Sequence, residues 1–281
     1  MTKLFRTTND LKSELAKRQK SIGFVATMGA LHKGHRSLIE RATKECMTTV
    51  VSIFVNPFQF GPNEDFNAYP RSLDEDMKVC ESEKVDIVFL PDEKEIYPTE
   101  ASKKELIIPP VELTGILCGR TRSGHFESVA TVVKKFFDII HPDYIYFGEK
   151  DLQQLFVIRW LVKEYDLAVT VQACPTVREA NGLACSSRNQ YLSGEQKEAA
   201  SNIYKSLKLA KQNIKSGIFT VSRSILESLV FLSVQPELKV EYFEAKDKEN
   251  LGKVDDRKTQ NIYFLTACNI KGVRLIDNIE V

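Results

Sequence analysis

Two of the four histidines in this chain of 281 residues stand three positions apart, in the stretch VATMGALHKGH at residues 25–35. The stretch follows a short apolar run typical of a buried strand and precedes a helical pattern. Gly29 and Gly34 let the backbone approach a ligand, and the first turn of the helix offers unpaired N–H groups. The imidazoles of His32 and His35 can donate to phosphoryl oxygens. The pattern therefore favours a nucleotide-binding turn, with a plain surface turn or a metal-binding pair as alternatives.

The elements around this turn alternate between strand and helix. Helical patterns begin at His35, Ser72, Phe126 and Leu152, and Ser72 with Glu75 predicts a capping box. Apolar runs that predict strands lie at 21–27, 48–56, 85–90, 144–148 and 168–174. This alternation predicts an α/β fold, a Rossmann-like doubly wound parallel sheet, in which the carboxyl ends of the strands carry the ligand site.

The pattern changes near residue 176. A charged helical stretch and a second helix precede LKVEYFEAKD and NIYFLTACNI, whose spacing predicts a small antiparallel sheet. We therefore expect a Rossmann-like domain over 1–175 and a smaller α+β C-terminal domain over 176–281.

Composition limits the functional classes. There are 39 Lys and Arg against 38 Asp and Glu, so no overall field favours nucleic acid or an anionic membrane. The six cysteines form no CxxC pair, which predicts reduced thiols. Neither a signal peptide nor a segment of membrane-spanning length is visible, and we expect a soluble cytoplasmic protein.

Two further segments lie where strands end. In NPFQFGPNEDFNAYPR (56–71), Asn56 and Gln59 could bind a small polar substrate while Phe60 and Tyr69 line its apolar part. The alternative is a loop that is ordered only by its own Asn and Pro turns. In FGEKDLQQL (147–155), Lys150 places a cation near any bound phosphate. Two more side chains of that segment can converge on the same point, Asp151 and Gln154, although Asp151 alone is also a common helix cap.

Two weaker signals remain. TRSGHF places Arg122 and His125 before a helix, where a solvated basic turn is the alternative. VREANGLACSSRN (177–189) contains hydroxyl and cationic side chains, Ser186, Ser187 and Arg188, that could fold over a triphosphate. A flexible interdomain linker is the alternative for that segment.

Taken in order, ATMGALHKGH, FVNPFQFGPNEDFNAYPR, GHFESVATVV, FGEKDLQQL, PTVREANGLACSSRNQYL and GVRLIDN make the chain resemble the pantothenate synthetase (pantoate–beta-alanine ligase) family over nearly its whole length. That family belongs to the HxGH nucleotidyltransferase superfamily. The resemblance implies a homodimeric ligase that joins D-pantoate to beta-alanine using ATP and Mg²⁺. AMP and pyrophosphate leave, and a pantoyl adenylate is the intermediate.

The resemblance also implies residue roles. It places ATP and pantoate in the domain over 1–175, with the 177–189 loop over the active site. The implied catalytic residues are His32, His35, Lys150, Ser186 and Arg188. The implied ATP-binding residues are Met28, His35, Gly148, Lys150, Asp151, Ser186, Ser187 and Arg188. The implied pantoate-binding residues are Met28, Asn56, Gln59, Tyr69 and Gln154. No protein metal ligands are implied, since Mg²⁺ would be held mainly by the ATP phosphates.

The chain departs from the family pattern at three positions, Ala26 (usually Pro), Asn181 (commonly Asp) and Cys185 (usually Met). Neither Ala26 nor Cys185 removes a charged group, so we expect altered affinity rather than a different reaction. Two alternative functions stay open: an adenylyltransferase that acts on a phosphorylated acceptor, and a regulatory module that binds ATP without turnover.

Overall fold

The computed structural model of the protein describes residues 1–18, 21–62 and 64–281. The strands are β1 (Lys3–Phe5), β2 (Ile22–Thr27), β3 (Thr48–Ile53), β4 (Ile87–Phe89), β5 (Tyr144–Gly148), β6 (Thr170–Cys174), β7 (Leu238–Asp247), β8 (Ile262–Ile270) and β9 (Val273–Glu280). The longer helices are α1 (Thr8–Leu15), α2 (Lys33–Glu45), α3 (Leu73–Ser82), α8 (His125–Ile140), α9 (Leu152–Glu164), α10 (Gly194–Lys215) and α11 (Val221–Ser233). The short helices are α4 (Glu93–Ile96), α5 (Glu100–Lys104), α6 (Val111–Thr114) and α7 (Leu117–Thr121).

The contacts within the chain define two compact units. Unit 1 contains Met1–Glu149 and Gln154–Pro175, and unit 2 contains Lys150–Gln153 and Thr176–Val281. Residues 150–153 therefore pack with the C-terminal part of the chain, although they lie well before residue 176 in sequence. The functional roles that the sequence assigns to the two parts stay predictions.

Unit 1 is built on a parallel sheet in the order β1-β4-β3-β2-β5-β6. All six residues of β3 are buried, as expected for a strand covered by helices on both faces. Chain order reverses between β2 and β5, and in such sheets ligands bind beyond the carboxyl ends of the strands at this point. The predicted Rossmann-like doubly wound fold is confirmed.

Local details of unit 1 differ from the sequence prediction. The short edge strand β1 was not predicted, since three residues carry too little pattern. The predicted capping box at Ser72 is wrong, because the Ser72 side chain makes no capping hydrogen bond. Its backbone (φ −129°, ψ 60°) lies outside the extended conformation that aims an N-cap oxygen at the first turn.

Unit 2 combines a three-stranded antiparallel sheet, β7-β8-β9, with α10 and α11. Apolar side chains of α10, including Ile203 and Leu207, share one core with Phe264 and Cys268 of β8. The predicted smaller α+β part is confirmed. The sequence had indicated two of the three strands. The third, β9, begins at the Val of the GVRLIDN motif, which had served only to identify the family resemblance.

Two general features complete the description. All six cysteines are free thiols, as their spacing predicted, and each of them except Cys46 is buried. Within the described ranges, the helices lack the combination of length and apolar character that crossing a bilayer requires.

Candidate active site

The first strand-to-helix turn of unit 1 is organised by its two histidines. His32 is the N-cap of α2, and its Nδ1 accepts a hydrogen bond from Gly34 N at 3.1 Å. His35 Nδ1 accepts from His32 N at 3.4 Å, so the pair forms a capping box made of imidazoles. The rings stack with centroids 4.0 Å apart. Because each Nδ1 accepts, each Nε2 is the nitrogen that carries a proton and can donate to a ligand.

A buried carboxylate holds the loop that leads to these histidines. Asp76 of α3 accepts from Leu31 N at 2.7 Å and from Ala30 N at 3.0 Å, and its side chain is 2 % exposed. Burial raises the pKa of Asp76, and the two N–H donors oppose that rise. Sequence analysis missed Asp76. The available signal was an acid on the apolar face of α3 that also includes Leu73, Met77 and Cys80.

Gly29 is required in this turn. Its φ of +81° lies in the left-handed region, and a Cβ there would come within 2.9 Å of Asp76 Oδ2 and 3.1 Å of Ile53 Cγ2. Ala30 follows with φ 49°. The backbone therefore turns sharply while its N–H groups bind Asp76, which directs the chain into α2.

The loop after β3 brings together two of the predicted pantoate residues. Gln59 ends the 3₁₀ helix Pro57–Gln59, and its Nε2 lies 2.8 Å from the Met28 sulfur. A cavity of about 290 Å³ lies beside Met28 and is lined also by Ile53, Arg71 and Asp76. Unit 1 thus has room for a small ligand next to Met28.

Asn56 and Tyr69, from the same loop, are both buried, and their predicted contacts with pantoate stay a prediction. Asn56 is 1 % exposed, and its Oδ1 accepts from Tyr97 Oη at 3.2 Å and from Phe58 N at 3.4 Å. Tyr69 is 4 % exposed, with its ring centroid 5.9 Å from that of Phe60. Both residues therefore support the loop from inside.

Arg122 and His125 hydrogen-bond to residues of the same loop. His125 Nδ1 lies 2.8 Å from the Gln59 carbonyl oxygen, and Arg122 Nη1 lies 2.8 Å from His125 Nε2. A guanidinium can only donate, so His125 accepts at Nε2 and donates from Nδ1 to Gln59. Arg122 also binds Glu64 in two places, at 2.6 and 2.7 Å. The alternative of a solvated basic turn is wrong, since His125 is 8 % exposed.

The end of β5 contributes residues to both units. Gly148 belongs to unit 1, and a Cβ placed there would meet no atom within 4 Å, so the backbone is open to a ligand. Lys150 belongs to unit 2, and its Nζ lies 3.5 Å from Asp151 Oδ1, within the 3₁₀ helix Glu149–Asp151. Gln154, half-buried in the first turn of α9, belongs to unit 1.

In unit 2 the segment 177–189 is an ordered turn. Glu179 N donates to Leu183 O at 2.8 Å and Cys185 N to Val177 O at 2.9 Å. Ser186 caps the 3₁₀ helix Ser187–Tyr191 by accepting from Arg188 N at 3.3 Å. This hydrogen bonding contradicts the alternative of a flexible linker.

Of the three departures from the family pattern, Asn181 has a local explanation in its hydrogen bonds. The Asn181 amide donates to Lys197 O at 3.2 Å and to Glu198 Oε2 at 3.3 Å, which an Asp could not do. Cys185 is buried within the turn. Nothing in the structure explains Ala26, which is half-buried in β2.

Metal ligands were not predicted in this chain. Across residues 1–18, 21–62 and 64–281, no three or more His, Cys, Asp or Glu side chains are grouped so that they could hold a metal ion.

Comparison with known proteins shows similarity over almost the full chain. The family model described as pantoate-beta-alanine ligase matches residues 3–280. A pantothenate synthetase from Caldicellulosiruptor saccharolyticus is 43% identical over 275 residues, which is 97% of this chain and 95% of the relative. A bifunctional pantoate ligase/cytidylate kinase from Synechococcus elongatus is 44% identical over 94% of this chain. The chain spans about half the length (50%) of that bifunctional relative.

Solved structures of the family are also similar to this chain over almost its full length. The pantothenate synthetase of Thermus thermophilus superposes with a TM-score of 0.94 at 38% identity, covering 99% of each chain. The pantoate-beta-alanine ligase of Francisella tularensis has a TM-score of 0.82 at 35% identity and covers 100% of this chain and 98% of its own. That protein was solved in complex with beta-gamma ATP and beta-alanine.

Proposed function

The chain belongs to the pantoate-beta-alanine ligase family, and we propose that it condenses D-pantoate with beta-alanine to give pantothenate, with ATP converted to AMP and pyrophosphate. The observation that carries this proposal is the imidazole capping box at the carboxyl end of β2. It fixes two Nε2–H donors at the turn where such a sheet receives a nucleotide.

The proposed reaction has two steps. A carboxylate oxygen of pantoate forms a bond to the α-phosphorus of ATP while the bond from that phosphorus to the pyrophosphate oxygen breaks. The neutral amine of beta-alanine then attacks the acyl carbon of pantoyl adenylate, the bond to AMP breaks, and the amine proton passes to solvent. Neither step needs a covalent bond to the protein, so alignment and charge stabilisation supply the catalysis.

His32 and His35 act on the phosphates in this proposal. Their Nε2–H groups donate to phosphoryl oxygens, where negative charge moves as pyrophosphate leaves. The stack and the two backbone hydrogen bonds hold both rings before ATP arrives. Preorganised donors of this kind need no reorientation during the reaction.

Unit 2 has cations and hydroxyls that the proposal also assigns to ATP. Lys150, Ser186, Ser187 and Arg188 bind phosphates, while Asp151 and the open backbone at Gly148 bind the ribose. Met28 contacts the nucleotide as well as pantoate. The ordered turn at 177–189 supports this assignment, because a fixed turn presents its side chains at one position.

Pantoate is proposed to bind beside Met28. Gln59, held through its carbonyl by His125, and Gln154 hydrogen-bond the polar groups of the substrate. Asn56 and Tyr69 of the same loop are proposed to contact pantoate as well, and their contacts with Tyr97 and Phe60 hold them in place.

The cofactor proposal covers ATP and Mg²⁺. The Francisella relative supports ATP and beta-alanine as ligands of the family. Mg²⁺ prefers oxygen ligands and commonly stays bound to substrate phosphates and waters, so we assign it to ATP rather than to protein side chains. We also propose a homodimer and a cytoplasmic location, in line with the family, with D-pantoate, beta-alanine and ATP as its small-molecule partners. Light scattering tests the dimer.

The decisive experiment is ATP–pyrophosphate exchange with pantoate present and beta-alanine absent. Exchange should occur and depend on pantoate, because the adenylate forms from pantoate and ATP alone. A requirement for beta-alanine would contradict the two-step scheme. Exchange with a phosphorylated acceptor instead of pantoate would identify an adenylyltransferase, and ATP binding without any exchange would identify a regulatory module.

A further inference from the structure

Two adjacent polar residues are buried in the last strand of unit 2. Asp277 and Asn278 of β9 are 4 % and 8 % exposed. Successive residues of a strand usually alternate between a buried and a solvated face, so two buried polar neighbours need partners within the protein. The partners of this pair lie far away in sequence, in two segments to which the proposed function assigns phosphate contacts.

Asp277 holds the turn at 177–189. It binds Arg178 through two hydrogen bonds, Nη1–Oδ2 at 2.6 Å and Nη2–Oδ1 at 2.9 Å. The same guanidinium donates to Gly182 O at 3.2 Å and stacks 3.5 Å above the Tyr204 ring centroid. Arg178 thus joins the start of the turn to its tip, and Asp277 neutralises its charge.

Asn278 holds the segment that carries Lys150. Its Nδ2 donates to the Lys150 carbonyl oxygen at 3.0 Å, across 128 positions of sequence. Burial raises the pKa of Asp277 above its usual value, and the hydrogen bond with Arg178 and the charges of Arg178 and Lys150 oppose that rise. The Lys150 ammonium therefore lies within electrostatic range of the same ion pair.

We propose that Asp277 and Asn278 are positioning residues that hold Lys150 and the Ser186–Arg188 segment in one fixed arrangement, so that both can meet the phosphates of one ATP. The proposal rests on the proposed function of these segments. Neither residue touches substrate in this scheme. Their effect is alignment, and misplacement of an aligned group by about 1 Å can cost roughly a hundredfold in rate.

The test is Asn278→Ala in the full-length protein, with Asn269→Ala as the matched control. Asn269 lies in the neighbouring strand β8, and its side chain binds Gly272 N at the β8–β9 turn. Asn278→Ala should lower the kcat of pantoate-dependent exchange roughly ten- to a hundredfold and change the KM for ATP by less than about threefold. Asn269→Ala should leave both constants unchanged.

Hydrogen exchange provides a second readout that needs no activity. Amides in residues 148–153 should exchange faster in Asn278→Ala than in the wild type, while those of α10 stay protected. If Asn278→Ala lowers the unfolding midpoint too far, Asn278→Ser replaces it. Unchanged hydrogen exchange of the amides in 148–153 would overturn the inference, and so would kinetic constants equal to those of Asn269→Ala. If the wild type shows no pantoate-dependent ATP–pyrophosphate exchange, the proposed function is refuted instead. The hydrogen-exchange measurement would still test the positioning role.

Discussion

The imidazole rings of His32 and His35 stack with centroids 4.0 Å apart, and the Nδ1 atom of each accepts a backbone N–H. One nitrogen of each ring therefore stabilises the start of α2, while the other carries the proton that can be donated to a ligand. The two functions can be separated by substitution.

His32→Asn should keep the cap and remove the Nε2–H donor, because the Asn oxygen can replace Nδ1 while the shorter side chain places no donor at the position of Nε2. We expect wild-type thermal stability with adenylate formation slowed by about 2 kcal/mol. His32→Ala should show the same kinetic loss together with about 1 kcal/mol lower stability. Single-turnover adenylation and thermal melts measure the two effects. Full activity in His32→Asn would limit His32 to capping.

Asp76→Asn should loosen the turn that leads to the histidines. The amide retains one acceptor but points an NH₂ group at a backbone N–H, so we expect a loss of roughly 1 to 3 kcal/mol in stability. The amides of Ala30 and Leu31 should exchange faster in NMR, and adenylation should slow. Asp74→Asn, an acid in the same first turn of α3, is the control. Equal behaviour of the two variants would remove Asp76 from this role.

Lys150→Ala should slow adenylate formation by about 2 kcal/mol or more if the contact strengthens in the transition state. The hydrogen bond from Asn278 uses the Lys150 carbonyl and survives the substitution. The Lys150 side chain is 19% exposed, more covered than a solvent-facing lysine, so a modest stability loss is also expected. Lys163→Ala in the last turn of α9 is the control. Wild-type single-turnover adenylation would refute a phosphate role.

Gln59→Ala and Gln154→Ala should each weaken pantoate binding by roughly 1 to 3 kcal/mol, since polar groups of the substrate would be left unpaired. ATP affinity should stay constant, and the two losses should be non-additive because both residues bind one ligand. Calorimetric titration of the single and double variants measures this. Gln212→Ala, on α10 of unit 2, is the control. Variants that weaken ATP and spare pantoate would overturn the pocket assignment.

Glu64 should contribute stability that depends on pH. Burial raises its pKa, but the hydrogen bond and charge of Arg122 outweigh burial, so the pKa lies below its usual value. A carboxyl with a lowered pKa stabilises the fold above its unfolded pKa of about 4.3 and loses that contribution as pH falls through its folded value. Glu64→Gln should therefore cost roughly 1 to 2 kcal/mol at neutral pH and progressively less in acid.

Urea unfolding of Glu64→Gln and wild type across the acid range measures this difference. Glu40→Gln is the control, because Glu40 pairs with Lys44 on an exposed helix face and should change stability little. A difference between wild type and Glu64→Gln that stays constant with pH would contradict the role of the ion pair.

The family, the parallel sheet and the turn at His32 were predictable because each depends on local pattern. Strand β2 reads IGFVAT, a mainly apolar run, and the HxGH motif begins five positions after that strand ends. The order of several motifs along the chain then identified the family, which the full-length similarity confirms.

The supporting residues were not predictable, since their partners are remote. Asp76 binds a turn 45 and 46 positions away, and Asn278 binds a carbonyl 128 positions away. The apolar face of α3 indicates that Asp76 is buried, but nothing near Asp76 or Asn278 in sequence identifies these partners. The predicted capping box at Ser72 was wrong although the local sequence pattern matched one. The backbone conformation of Ser72 does not aim its side chain at the helix.

The assignment of Lys150–Gln153 to unit 2 has a practical consequence for dissecting the protein. Helix α9 starts with residues that pack in one unit and continues with residues that pack in the other, so no single cut between residues separates the units. A fragment that stops at Pro175 would retain Lys150 but lose the Asn278 amide that binds its carbonyl. Such a fragment should be judged by its amide protection before any loss of activity is attributed to missing side chains.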